Sequence, residues 1–261
     1  MIVNNLEGGI GNQLFQLAAG YSHARRIGVD FAINFNFSVF VGQGHVAQKY
    51  KKNILSKIPE TNRSRDEFIE WQQPNFSFSP IPTYDNLMLF GYFQSEKYFS
   101  DFSDEIRDLF VFPKSLKKKI DKKMRFSSKK KIGVHIRRGD YKSPGVKECL
   151  PPLDINYFFN AMKLFKDDEV DFLIFTDDYS TVKKEIDPSF FYNLNNKDEI
   201  EDLYALSQCD GVIMSNSSFS WWGAWLGKEK YKVITPLKWF GPKGPSKGFY
   251  EDVYNDKWIR L

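Results

Sequence analysis

The chain has 261 residues, 42% of them hydrophobic and 17% aromatic, with 37 Lys and Arg against 33 Asp and Glu, a net charge of +4. So much buriable area excludes a disordered chain, and the aperiodic 17 Gly and 12 Pro exclude a collagen-like or low-complexity one. Two cysteines, Cys149 and Cys209, exclude a disulfide framework, and three histidines without a CxxC give no sign of a zinc site.

At ~100–200 residues per domain the length predicts two modest domains. The N-terminus MIVNNLEGGIGNQLFQ has no basic leader region or long apolar core, and no run reaches the ~18 apolar residues of a membrane span. Two free thiols fit a reducing compartment, so the expected location is the cytoplasm.

In chain order, IVNN predicts a short strand that enters a Gly-rich turn, GGIGNQ. Leu14, Leu17, Ala18, Tyr21 and Ala24 recur at a helical period, with Gly28 as the stop. FAINF reads as a short strand, residues 38–85 as irregular, NLMLFGYF as a strand and DEIRDLFVF as a helix that ends before Pro113. Residues 114–131, KSLKKKIDKKMRFSSKKK, carry ten Lys or Arg and one Asp, a local +9 that leaves −5 for the rest. Two readings stay open: a solvated helix and linker, or a surface drawn to anionic lipid headgroups. Nucleic acid is disfavoured, because no aromatics interleave with the run as base stacking requires. The domain boundary is placed here, giving 1–112, a basic linker helix 113–126, and 127–261.

Beyond it, strands and helices alternate. KIGVHIRRGD is a strand and turn, DINYFFNAMKLF a helix with Asp154 as N-cap, VDFLIFTDD an apolar strand and STVKKEI a short helix. FFYNL is a candidate strand, DEIEDLYALSQC a helix, GVIMSN a strand, SFSWWGAWLG a helix and YKVITP a strand. Such alternation predicts an α/β fold with a parallel sheet covered on both faces.

In such sheets ligands bind beyond the carboxyl ends of the strands. Four polar clusters fall there: GGIGNQ, HIRRGDY, TDD and SNSSFSWW. Strand alternation puts His135 and Arg137 on one side and Ile136 on the other. Arg137 and Arg138 offer planar forks for phosphate oxygens, with Asp140 to orient one of them; a surface ion pair is the competing reading. Ser215–Ser220 opens a helix, where hydroxyls, amides and the helix dipole suit an anion or form an ordinary cap. Asp177 and Asp178 could hold Mg²⁺ through a pyrophosphate, but they lack the spacing of a DxD, and Asp178 also fits as a helix cap. GGIGNQ lacks the third glycine of a dinucleotide fingerprint, since Leu14 stands there. It fits better as a tight turn through which Asn12 approaches a ligand. The tryptophans Trp221, Trp222 and Trp225 read as packing before a sugar platform.

GGIGNQLFQLAAGYSHAR, GYFQSEKYF, VHIRRGDY, FTDD and SNSSFSWWGAWLG together resemble the bacterial α-1,2-fucosyltransferases of glycosyltransferase family 11, from residue 8 to about 227. The resemblance implies a GT-B-type architecture, with two Rossmann-like domains facing each other across a cleft. It also implies inverting transfer of L-fucose from GDP-β-L-fucose to the 2-hydroxyl of a galactoside, without metal or other cofactor. The acceptor would be a galactose-containing oligosaccharide or a lipid-linked one, in surface polysaccharide or oligosaccharide synthesis. Residues 1–112 would bind the acceptor, with 38–85 as specificity loops, and 127–261 the donor. Arg137 would hold the β-phosphate, His135 lie near the nucleotide, and Asp202 accept both the N1–H and the amine of guanine.

The site set implied is Arg137, Asn12 and Gln13 for catalysis. For the donor it is His135, Arg137, Arg138, Asp140, Asp177, Asp178, Asp202, Ser217, Ser218 and Phe219. The enzyme would be cytoplasmic, with peripheral contact to the inner membrane face through Lys114–Lys131 as one option. Rivals are a transferase for another GDP-sugar or acceptor hydroxyl, and a sugar- or nucleotide-binding module without catalysis.

Overall fold

The computed structural model describes residues 1–39, 45–165, 169–196, 198–227, 229–246 and 248–261. Residues 40–44 of the expected specificity segment thus lie outside the described residues. The chain divides into two α/β units, Met1–Val111 with Lys247–Asn255, and Phe112–Ser246 with Asp256–Leu261.

The first unit is built on β1 (Ile2–Asn4), β2 (Leu6–Glu7), α1 (Ile10–Ile27), β3 (Ser38–Val39), β4 (Ile69–Gln72), β5 (Leu87–Phe90) and α2 (Ser103–Leu109). Its sheet is parallel in the order β1-β5-β4, and β2 pairs separately with β3. FAINF does not form a full strand; Phe31 and Ile33 make isolated parallel bridges to Ile2 and Glu60. Helix α1 ends at Gly28, as the sequence predicts. It is buried around most of its girth up to Ala24, so the single apolar stripe read from the sequence understates its burial.

The second unit holds α3 (Lys114–Met124), β6 (Lys130–Ile136), α4 (Pro144–Lys147), α5 (Ile155–Lys163), β7 (Val170–Thr176), α6 (Tyr179–Glu185), α7 (Glu199–Gln208), β8 (Gly211–Ile213), α8 (Ser218–Trp225), β9 (Lys232–Thr235) and β10 (Ile259–Arg260). Its five strands run parallel in the order β10-β9-β8-β6-β7. Past the lysines that open β6 and β9, the central strands are largely apolar because both faces are covered. Ile132, Val134, Ile136, Ile213 and Ile234 pack with Phe158, Phe165, Val182 and Ile186. FFYNL contributes only a bridge from Tyr192 to Leu173.

The basic helix expected as a linker over 113–126 packs on α7 inside the second unit: Tyr204 donates to Asp121 at 2.9 Å and Lys119 pairs with Glu201. Residues 247–255, expected in the C-terminal domain, cluster with the first unit. Trp221 and Trp222 are fully buried, and Trp221 packs against Trp222, Trp225 and Trp258 with ring centroids 5.2, 6.1 and 5.4 Å away. They are core, not a sugar platform. Gly223 lets α8 approach α7: a Cβ there would sit 2.4 Å from a Leu206 methyl.

Candidate active site

In the second unit, β6 delivers the HIRRGDY turn and β8 delivers SNSS, and Ser215 joins them. Its hydroxyl accepts the Arg137 backbone N–H at 3.0 Å and donates to the His135 carbonyl at 2.8 Å. Tyr141 adds a second tie, donating to the Asn216 carbonyl at 2.8 Å. Burial holds that phenol protonated. Asn216 in turn donates its amide to the carbonyls of Pro151 and Trp239 at 3.1 and 3.0 Å.

Arg137 sits between two acids. Its Nη2 lies 2.8 Å from Asp140 Oδ1 and its Nε 3.1 Å from Asp177 Oδ2, with the guanidinium 5.5 Å from the Tyr141 ring centre. Asp177 also accepts the backbone N–H of Arg138 at 2.9 Å. The acids reduce the local positive charge and fix the fork's orientation. His135 is buried, and burial foremost, with Arg137 adding to it, pushes its pKa down to about 3. The ring is therefore neutral and lies tilted against Phe219 with ring centroids 5.2 Å apart, its Nδ1 unpaired among the described residues.

Ser217 caps α8: its hydroxyl accepts the Phe219 N–H at 3.3 Å. No acid occupies the first turn of this helix, so its positive end is not offset from within the helix. Ser218 and Phe219 are half-buried beside it.

Other sequence candidates go elsewhere. Arg138 does not join Arg137. It is 4% exposed, lies 5.9 Å from the Phe158 ring centre, and donates to Glu185 at 2.7 and 2.9 Å. Its place on the opposite side follows from the same alternation that groups His135 with Arg137. Glu185→Ala would strand this buried guanidinium. We expect it to lower the unfolding free energy by about 3 kcal/mol, read by urea denaturation.

Asp178 serves as cap for α6, accepting from Thr181 N–H at 3.0 Å and Lys142 Nζ at 2.6 Å. Lys142 and the Thr181 and Ser180 hydroxyls hold its carboxyl well below the usual carboxylate range. Among the described residues no group of three or more His, Cys, Asp or Glu is placed to hold a metal ion.

Asp202 lies in the first turn of α7, accepting from Asn196 at 2.8 Å. Burial pushes its pKa up to about 6, and Asp198 and Glu201 add to this. None of its described contacts reaches the HIRR or SNSS turns.

In the first unit, Gly8 (φ +77°) turns the chain from β2 into α1. Asn12 stands in the first turn of α1 and its Oδ1 accepts from Gln94 Nε2 at 2.9 Å. Gln13 is 0% exposed and spends its amide on the carbonyls of Gly8 and His45 at 3.0 and 2.6 Å. It fastens the turn from inside, where no substrate reaches it. Sequence reasoning includes Ser215 in the SNSS helix start but misses the joint it forms, and it singles out neither Tyr141 nor Gln94. Tyr141 and Gln94 stand in the recognisable motifs, but their partners are 75 and 82 positions away.

The model of glycosyl transferase family 11 matches residues 5–261. The chain belongs to that family. This family 11 chain is a glycosyltransferase. It is 27% identical to the O-antigen biosynthesis glycosyltransferase WbnK of Escherichia coli, over 98% of this chain and 99% of that one. It is 26% identical to an alpha-1,2-colitosyltransferase of Escherichia coli, over 100% and 99% of the two chains. It is 27% identical to a galactoside 2-alpha-L-fucosyltransferase of Caenorhabditis elegans, over 86% and 68%. The crystal structure of fucosyltransferase NodZ from Bradyrhizobium matches with a TM-score of 0.55 at 16% identity, over 87% of this chain and 93% of that one. The family 11 chain thus has the GT-B fold, with Rossmann-like units and parallel sheets.

Proposed function

We propose that this transferase moves L-fucose from GDP-β-L-fucose, with inversion, to the 2-hydroxyl of a galactoside. The observation that carries the reading is the Ser215 joint, which fixes the Arg137 turn against the start of α8. It fixes one guanidinium and a set of helix-end amides at the carboxyl end of β6 and β8, donors suited to a diphosphate. As the C1–O bond breaks with oxocarbenium character, charge grows on the β-phosphate. Arg137 and the α8 terminus stabilise that charge without a divalent ion. Neutral His135 and Phe219 pack beside the nucleotide, and Asp202 accepts two N–H bonds from guanine. The Gly8–Asn12 turn of the first unit is read as a contact to the acceptor; the acceptor hydroxyl attacks the opposite face of the sugar as GDP departs, and its proton passes to water.

The fucosyl and 2-position assignments draw support from the relative named galactoside 2-alpha-L-fucosyltransferase. The relative named alpha-1,2-colitosyltransferase favours a second reading with the same linkage and a donor sugar that lacks the 3-hydroxyl of fucose. The deciding assay incubates the protein with GDP-fucose or GDP-colitose, a panel of β-galactosides and EDTA, and determines the product linkage by NMR. An α-1,2-fucosyl product in EDTA supports the reading. Preference for GDP-colitose selects the second one, and turnover that needs added Mg²⁺ or Mn²⁺ removes the metal-free step.

No helix among the described residues is long and apolar enough to cross a membrane. A cytoplasmic enzyme of O-antigen-type synthesis would meet lipid-linked acceptors at the membrane surface, and α3 is suited to it. The fold divides its basic run. Lys119 pairs with Glu201, and Lys123 donates to the Leu194 carbonyl and Asn196 at 2.9 Å each. Lys114, Lys118, Lys122 and Arg125, one to three turns apart along one face, are exposed. At roughly 1 kcal/mol per Lys near an anionic leaflet, this stripe would hold the protein on such a surface. Reversing these four charges should abolish cosedimentation with phosphatidylglycerol vesicles and leave soluble turnover intact. Equal binding to neutral phosphatidylcholine vesicles would remove the proposal.

A further inference from the structure

In the second unit, one side chain touches both parts of the proposed diphosphate site. Tyr141 lies in the short turn Asp140–Lys142 that follows the HIRRG segment, and it is 5% exposed. Its ring centre lies 5.5 Å from the Arg137 guanidinium carbon, and its hydroxyl donates to the Asn216 carbonyl at 2.8 Å. Asn216 immediately precedes Ser217, the N-cap of α8. The Asn216 amide is spent on the Pro151 and Trp239 carbonyls, which anchors this residue to two further segments of the unit.

Tyr141 acts farther out than the Ser215 joint. Ser215 ties the backbones at the root of both turns, through the His135 carbonyl and the Arg137 N–H. The guanidinium stands several rotatable bonds beyond that root. Asp140 and Asp177 hold its N–H edge, and the Tyr141 ring packs against it. A phenylalanine would carry the cation equally well. What the hydroxyl adds is the Asn216 bond, which fixes the peptide just ahead of the helix cap. Ring and hydroxyl are one rigid body. The separation of the guanidinium from the start of α8 is therefore set by an aromatic strut and not by flexible chain.

We propose that Tyr141 is a positioning residue, a rigid strut that sets the distance between the Arg137 guanidinium and the start of α8 so that both reach one diphosphate. The proposal rests on the reading that these two elements bind the donor. It gives the side chain two separable parts: the ring acts through Arg137, and the hydroxyl through the peptide ahead of α8.

Three variants test it: Tyr141→Phe, Tyr141→Leu and Arg137→Ala, each read by calorimetric titration with GDP and by kcat and acceptor KM with GDP-fucose. Tyr141→Phe keeps the ring and loses the far end of the strut, so GDP affinity and kcat should each fall about fivefold, the size of one neutral hydrogen bond, with acceptor KM unchanged. Tyr141→Leu also removes the support beneath the guanidinium and should cost GDP affinity about a further tenfold. Because the ring acts through Arg137, the difference between Tyr141→Phe and Tyr141→Leu should shrink to less than about twofold in the Arg137→Ala background. A ring that merely fills space would give the same difference in both backgrounds, and that additivity overturns the role. Tyr141→Phe removes a single oxygen and decides even where the leucine variant does not fold. Its wild-type kcat and GDP affinity, beside an Arg137→Ala that binds GDP weakly, overturn the strut whatever its melting temperature. An Arg137→Ala that binds GDP as the wild type does overturns the reading beneath it, and the inference with it.

Discussion

Arg137→Ala is expected to lower fucosyl transfer by about 10²-fold or more, the usual cost of removing one group aimed at charge that develops in the transition state. The structure adds a reason for an effect at the upper end. Arg137 stands between Asp140 and Asp177, with nitrogen–oxygen distances of 2.8 and 3.1 Å. In the proposed complex its removal would leave two carboxylates beside the departing diphosphate, replacing attraction by repulsion. Asp140→Asn in the Arg137→Ala background should therefore recover part of the loss, and a double-mutant cycle on kcat/KM measures that coupling. Arg137→Lys should also be poor, because one ammonium cannot span both acids and a phosphate as the fork does. Near-normal turnover of Arg137→Ala in steady-state assays would contradict the assignment.

Asp202→Asn should make the protein more stable and a worse binder of GDP. Burial raises the Asp202 pKa from an ordinary 3.8 to about 6, so the folded state binds this proton more tightly than the unfolded chain. The unfolding free energy contributed by this group is highest below pH 4 and falls as pH rises toward 6. At neutral pH the charged form costs on the order of 1–3 kcal/mol. Asparagine removes that cost and still accepts the bond from Asn196. It accepts only one of the two guanine N–H groups and points its own amine at the other, so GDP affinity should drop by roughly 10²-fold. In the wild type, GDP affinity should weaken as pH falls through about 6, and the variant should lose that dependence. Calorimetric titration with GDP at pH 5 and 7, beside urea denaturation at both, reads the two effects. Higher stability with unchanged GDP affinity would leave Asp202 a buried acid without a role in the donor site.

The features legible in the sequence are those set by neighbours along the chain. Gly28 ends α1, Asp154 caps α5 and Asp178 caps α6, because cap geometry depends on residues two to four positions away. The apolar runs of β6 and β7 are legible too, because a strand covered on both faces has a continuous pattern. Adjacency misassigns Arg138, whose Glu185 partner is 47 positions away. Gln13 looks reactive because a motif shows residue type and not burial, which here comes from the return of the chain at His45. The Ser215 hydroxyl, which joins the HIRR and SNSS turns, depends on a β6–β8 pairing that no local pattern reports. FAINF falls short of a strand because strand propensity does not guarantee a neighbour to pair with; among the described residues only Phe31 and Ile33 find one.

Arg137 and the α8 terminus, rather than a divalent ion, are proposed to neutralise the departing nucleotide. A crystal structure of the GDP complex grown in EDTA tests it most directly. The β-phosphate should lie within hydrogen-bond reach of the Arg137 guanidinium and of the amides at Ser217–Phe219. A pyrophosphate lodged away from both turns, or bound there only after Mg²⁺ or Mn²⁺ is added, would contradict it.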